Sequence, residues 1–146
     1  MSEPTDKDRL QDGTLVADVL RHMTRSEVNL WAIAPLDSVK RNVLSTGYPP
    51  EKLHFVQGKV EDTLPGQAPD RVALLRLDTD WYESTRHEMV HLYPRLSERG
   101  VLILDDYGDW QGARQAVDEY FAAQQSSPLL SRMDTTGRMT VKVAAG

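Results

Sequence analysis

The sequence predicts an α/β fold with a mostly parallel sheet and an antiparallel edge, and three observations predict it. Two short apolar runs, Val72-Ala73-Leu74-Leu75 and Val101-Leu102-Ile103-Leu104, have the character of strands buried on both faces. Segments with apolar residues at helical spacing alternate with them through the middle of the chain. Leu129–Met133 and Met139–Val143, joined across Thr135-Thr136-Gly137, read as a closing antiparallel hairpin.

Taken in order, Met1 to Gly13 is polar and without period, and residues 1–28 as a whole form a poorly defined N-terminal segment. Within it, Thr14 to Met23 sets Leu15, Val16, Val19, Leu20 and Met23 at the spacing of a short amphipathic helix. Asn29 to Ala34 is brief and apolar, a strand or extended loop closed by Pro35. Leu36, Val39, Val43 and Leu44 share a second helical face, with Gly47 as terminator and Tyr48-Pro49-Pro50 as a turn. Leu53 to Val56 reads as a strand stopped by Gly58, and Glu61 to Asp70, with two prolines and a glycine, as a loop.

After the first apolar run, Thr85 and Glu88 have capping-box spacing, and Met89, Leu92, Tyr93 and Leu96 follow on one helical side. Pro94 loosens the last turn, and Gly100 separates this helix from the second run. A further helix from about Trp110 to Ala123 turns Ala113, Val117, Tyr120 and Phe121 inward.

Composition bounds the function. A chain of 146 residues with 40% apolar content supports a single domain over residues 1–146 with one core. The absence of cysteine excludes disulfides and thiolate metal sites and fits a reducing compartment. A net charge of −5 without a basic cluster argues against nucleic acid. The polar start is no signal peptide and no apolar run spans a bilayer, so a cytoplasmic location with no membrane partner is expected.

The chemistry gathers where the two runs end. The first finishes in Asp78 and Asp80, the second in Asp105 and Asp106, and ligands bind at strand ends in open α/β sheets. If the runs are adjacent parallel strands, four carboxylates meet at one sheet edge and must lose charge or share a cation. A hard divalent ion with oxygen ligands resolves the repulsion, and Mg²⁺ suits a site that keeps positions open for substrate. The bland alternative makes each acid a helix cap or a solvated side chain. An Asp-x-Asp tip also serves metal-dependent glycosyl transfer and phosphoryl transfer. Arg76, two positions before Asp78, suggests a structural ion pair, and His87 with His91 suggests surface histidines on a charged helix. Tyr82 and Trp110 suit a substrate pocket and core packing equally.

The stretches LLRLDTDWYEST, LYPRLS, GVLILDDYG and ARQAVDEYF resemble the macrocin O-methyltransferase family, and the likeness extends from APLDSVKRN through LHFVQGKVEDTLP to the last hairpin. The resemblance implies a class I, Rossmann-like methyltransferase that uses S-adenosylmethionine and Mg²⁺ to methylate hydroxyls of sugars or phenols. It implies Asp78, Asp105 and Asp106 as metal ligands, Asp80 as general base, and Gly58, Lys59 and Val60 as cofactor contacts. A metal holding neighbouring acceptor hydroxyls lowers their pKa, and a nearby carboxylate takes the proton.

Such enzymes hold the cofactor on a Gly-rich loop after the first strand, since glycine permits close backbone approach. The glycines here are dispersed. By resemblance, the chain is expected to lack the first two strands of the sheet, between Leu53–Val56 and the first acid-tipped strand. It is then expected to be truncated and inactive alone, or to act as a homo-oligomer or with a complementing chain. A metal-binding or interaction module without methyl transfer is the alternative from another class.

Overall fold

Parallel pairing of the two acid-tipped runs is the central feature of the computed structural model, which describes residues 3–22 and 34–143. Strands β1 (Val72–Leu77), β2 (Leu96–Leu104), β3 (Ser131–Arg132) and β4 (Arg138–Val141) form one mixed sheet in the order β1-β2-β4-β3. β1 and β2 are parallel; β4 lies antiparallel to both β2 and β3. The ladder between β3 and β4 spans only Ser131–Met139 and Arg132–Arg138, shorter than the two arms the sequence suggests.

Helices α4 (Tyr82–Leu92) and α5 (Gln111–Ala123) follow β1 and β2 and cover one face of the sheet. Leu75, Leu77, Leu96, Leu102 and Leu104 supply that face, and Met89, Val117 and Phe121 meet it from the helices. Tyr93, Tyr120 and Phe121 close the lower end edge-to-face, with centroids 5.2–5.7 Å apart. The opposite face departs from the expectation of double burial. Leu74 pairs with Val101 and Val101 with Val141, yet Leu74 is 59% and Val141 48% exposed. No helix among the described residues lies over that row, so β1 and β4 alternate like strands with one solvated face.

Helices α1 (Val16–His22) and α2 (Leu36–Leu44) form where periodicity places them, but only Val16 of the two is buried. Met23 and most of the apolar stretch Asn29–Ala34 lie outside the described residues. Three other expectations are corrected. Leu53–Val56 forms no strand with the described residues: Leu53 is extended, at φ −100° and ψ 124°, but no described segment pairs with it, and a strand exists only through its ladder. The expected loop from Glu61 opens with one helical turn, α3 (Val60–Thr63). Leu96 and Gly100 belong to β2, because Pro94 ends the helix in a 3-10 turn, Tyr93–Arg95, and the strand starts at once.

The early start of β2 requires a bulge. Val72 pairs with Leu96 but Leu74 pairs with Val101, and Arg99 takes φ 63° in the extra length. Gly100 is tightly enclosed in this bulge; a Cβ there would lie 2.7 Å from the Ser97 carbonyl and 2.9 Å from that of Ala73.

Candidate active site

The parallel register brings the acids together. Leu77 and Leu104 are paired, so both strands end level, and the Asp105 N–H donates to the Leu77 carbonyl at 3.0 Å just beyond the ladder. One carboxylate oxygen from each of Asp78, Asp105 and Asp106 falls within 4.8 Å of the others. Among the described residues this is the grouping of three or more side chains suited to a metal ion. One Asp106 oxygen, Oδ2, is buried without a hydrogen-bond partner there, and an orphaned buried acceptor needs a donor or a cation. Hard oxygen donors, short separations and an unsatisfied buried oxygen fit Mg²⁺.

The electrostatics bear the mark of crowding. Burial, then the charges of Asp80, Asp78, Asp105 and Asp109, push the Asp106 carboxyl up to about 7. Burial and the charges of Asp78, Asp109 and Asp105 push Asp80 up to about 6. Asp78 is also raised, by burial and Asp105, against the pull of Arg76. Arg76 bridges Asp78 at 2.7 Å and Asp105 at 2.9 Å, so the expected ion pair is a three-membered one. Its groups are about half exposed, so its direct contribution to stability is about 0–1 kcal/mol. Its larger effect is to hold two carboxylates in register.

A cleft of about 220 Å³ is lined by Gly58, Lys59, Val60 and Glu61 on one side and by Asp78, Thr79, Asp80 and Ser84 on the other. The tertiary structure thus sets the three residues singled out after Leu53–Val56 beside the acid-tipped strand.

Helix α4 does not begin with a capping box. It starts at Tyr82, and Thr85 and Glu88 lie inside it, turned toward Thr79 of the Asp-x-Asp tip. The cap comes from the far end of the chain. Asp8, 1% exposed, accepts the Tyr82 N–H at 2.7 Å and the Thr5 N–H at 2.7 Å. This approach is close enough that a Cβ on Gly112 of α5 would meet Asp8 Oδ1. Further bonds tie the N-terminal segment to the acidic loop: Gln111 N–H donates to the Arg9 carbonyl at 3.1 Å, and Gln11 Nε2 to the Gly108 carbonyl at 2.8 Å.

Tyr82 and Trp110 are packing residues. Trp110 meets Trp81 edge-to-face at 5.2 Å in a cluster with Val16 and Ala113, and the Tyr82 hydroxyl donates to Glu119 at 2.5 Å. His87 and His91 lie with ring centroids 4.3 Å apart at a tilt of 57°, with His87 Nε2 3.2 Å from the Leu64 carbonyl, and neither belongs to the acidic group. Sequence reasoning passed over Asp8, Thr79 and Asp109, and gave Glu88 another job. Asp109, three residues after Asp106, was visible as a further acid; Asp8 carried no local signal.

Comparison with known proteins shows the family. Residues 11–142 match the family model described as macrocin-O-methyltransferase (TylF). An 8-demethyl-8-(2,3-dimethoxy-alpha-L-rhamnosyl)-tetracenomycin-C 4'-O-methyltransferase of Streptomyces olivaceus is 38% identical over 117 residues, covering 80% of this chain and 44% of its own length. Mycinamicin III 3''-O-methyltransferase of Micromonospora griseorubida is 34% identical over 133 residues, 91% of this chain and 50% of its own length. Among solved structures, the O-methyltransferase NovP superposes with a TM-score of 0.76 at 30% identity, over 97% of this chain and 56% of that one. The chain spans about half the length of the curated relatives it matches. With the acid-tipped strands inside the matched region, the chain belongs to the macrocin-O-methyltransferase family.

Proposed function

We propose that this chain carries the metal-and-base half of an S-adenosylmethionine- and Mg²⁺-dependent O-methyltransferase site. Asp78, Asp105 and Asp106 hold the metal, and Asp80 is the general base. The acceptor is a sugar or phenol hydroxyl; the relative whose name carries a rhamnosyl group supports the sugar. The observation that carries this is the cluster itself: three carboxylate oxygens within 4.8 Å, with a buried Asp106 oxygen lacking a hydrogen-bond partner among the described residues.

Bound Mg²⁺ supplies Lewis acidity toward the acceptor hydroxyl. The chain's residues do the rest. Asp78, Asp105 and Asp106 set the ion's position, and Arg76 keeps Asp78 and Asp105 aligned. Asp80 accepts the hydroxyl proton onto its carboxylate. Raised to about 6, it is ionised at neutral pH and still basic enough to hold that proton.

The methyl donor fits these residues less well. The cleft of about 220 Å³ falls below the roughly 300–1,000 Å³ usual for a small-molecule site. We therefore assign Gly58, Lys59 and Val60 to one wall of a donor pocket, in a cleft smaller than the whole donor needs. A second reading has its own support: Arg76 already supplies a cation between Asp78 and Asp105, as a metal-free ion network would.

Thermal melting with MgCl₂ separates the two. The methyltransferase reading expects Mg²⁺ to raise the melting temperature, and Asp105→Asn to remove the gain. An unchanged melt of the unsubstituted chain favours the ion network. Calorimetry with S-adenosylmethionine tests the donor side, where micromolar binding by this polypeptide would overturn the one-wall assignment.

A further inference from the structure

Thr79 is the middle residue of the Asp78-Thr79-Asp80 tip, and its polar groups are held by α4. Its hydroxyl donates to Glu88 Oε2 at 2.7 Å. Its carbonyl accepts the Thr85 hydroxyl at 2.9 Å, and the two threonine hydroxyls lie 3.1 Å apart. Thr85 and Glu88 stand three residues apart on one helix face and are 3% and 7% exposed.

Glu88 is an unfavourable residue to bury at this place. It sits near Glu61 and Asp78, and burial with those charges pushes it up to about 7 despite the Thr79 hydroxyl. The neighbouring helical position, Met89, fills core space without such a cost and is fully buried. Replacing a buried polar pair by apolar groups of similar shape is often neutral or stabilising. Folding alone therefore gives little reason for a carboxyl group under the acid-tipped strand.

We propose that Glu88 is a positioning residue for the acidic site, acting through Thr79. The Glu88 bond fixes the Thr79 side chain and the Thr85 bond fixes the Thr79 carbonyl, so the backbone between Asp78 and Asp80 is held at two points. Metal ligand and base then keep one separation. The far side of Asp80 is pinned independently, by Asp8 on the Tyr82 N–H. Partners of this kind orient ligating carboxylates, and their loss typically weakens metal binding about 10- to 100-fold. Thr79 is the donor, so Glu88 needs an acceptor oxygen and not a charge.

This inference rests on the assignment of Asp78 and Asp80 made above, and the test keeps the two apart. Mg²⁺ affinity is measured by calorimetry on the full 146-residue chain and on Thr79→Ser, Thr79→Val, Glu88→Gln, Glu88→Leu and Thr79→Val/Glu88→Leu. Melting in metal-free buffer reports folding separately. The expectation is that Thr79→Ser and Glu88→Gln bind as the unsubstituted chain does. Thr79→Val and Glu88→Leu lose about 10- to 100-fold, and the double variant loses no more than either single one. Unchanged affinity in folded Thr79→Val and Glu88→Leu overturns the proposal, as does Glu88→Gln failing like Glu88→Leu. Should Glu88→Leu not fold, Thr79→Val, which exchanges one hydroxyl for a methyl, breaks the same hydrogen bond and decides the matter by itself. An unsubstituted chain that binds no Mg²⁺ removes the metal assignment itself and this proposal with it.

Discussion

Single side chains at the sheet edge trade stability for chemistry. Asp106 is the clearest case, because among the described residues no guanidinium shifts it and its carboxyl is pushed up to about 7. A group raised this far is one whose ionised form the fold disfavours. Asp106→Asn should therefore raise the melting temperature in metal-free buffer at pH 8 and, at the same time, abolish any gain from Mg²⁺. A lower metal-free melt would mean that the carboxylate is structural. Asp8 behaves in the opposite way. Its carboxylate accepts from the N–H groups of Thr5 and Tyr82 and from the Thr5 hydroxyl, so Asp8→Ala leaves two backbone N–H groups without this acceptor. The expected loss is about 2–4 kcal/mol in urea denaturation.

At the scale of elements, the β1–α4–β2 unit is the part that makes the site, and its weak points are specific. Gly100 lies in the β2 bulge against the Ser97 and Ala73 carbonyls, neither of which can move without disturbing the ladder. Gly100→Ala should cost about 1–3 kcal/mol, read as a shifted denaturation midpoint. Among the described residues the outer edge of β1 has no strand partner, and Leu74 projects 59% exposed. Leu74→Lys should change the stability of this polypeptide by no more than about 0.5 kcal/mol and reduce association in light scattering. A loss of several kcal/mol would mean that the outer face is covered in solution.

For the whole molecule, the raised carboxyls set how stability follows pH. Asp78, Asp80, Asp106 and Glu88 all bind protons more readily in the folded chain than when unfolded. Their contribution is full below the unfolded values and is lost as pH rises through about 7. Without metal, the melting temperature should fall from pH 5 to pH 8, and Mg²⁺ should recover most of the difference at pH 8. Asp12 and Asp134 are held low by turn N–H groups, so they oppose this trend only in more acidic solution. A flat profile between pH 5 and 8 would contradict the crowding of charge at the strand ends.

Short apolar runs state their own structure, since burial of branched side chains dominates their energetics; β1 and β2 were legible for that reason, and so were the acids at their ends. The helical face of Ala113, Val117 and Phe121 was legible from its period. What the chain could not state locally was partnership. Leu53–Val56 has the composition of a strand, but its state depends on whether a neighbour offers a ladder. Thr85 and Glu88 have the spacing of a capping box, yet those polar groups went to Thr79, and Tyr82 is capped by Asp8, 74 residues away in sequence. Composition and period therefore determined which segments carry acids to a sheet edge. Register, the bulge at Gly100 and the long-range bonds of Asp8 and Glu88 were decided by tertiary structure, because hydrogen-bond partners are assigned in space and not along the chain.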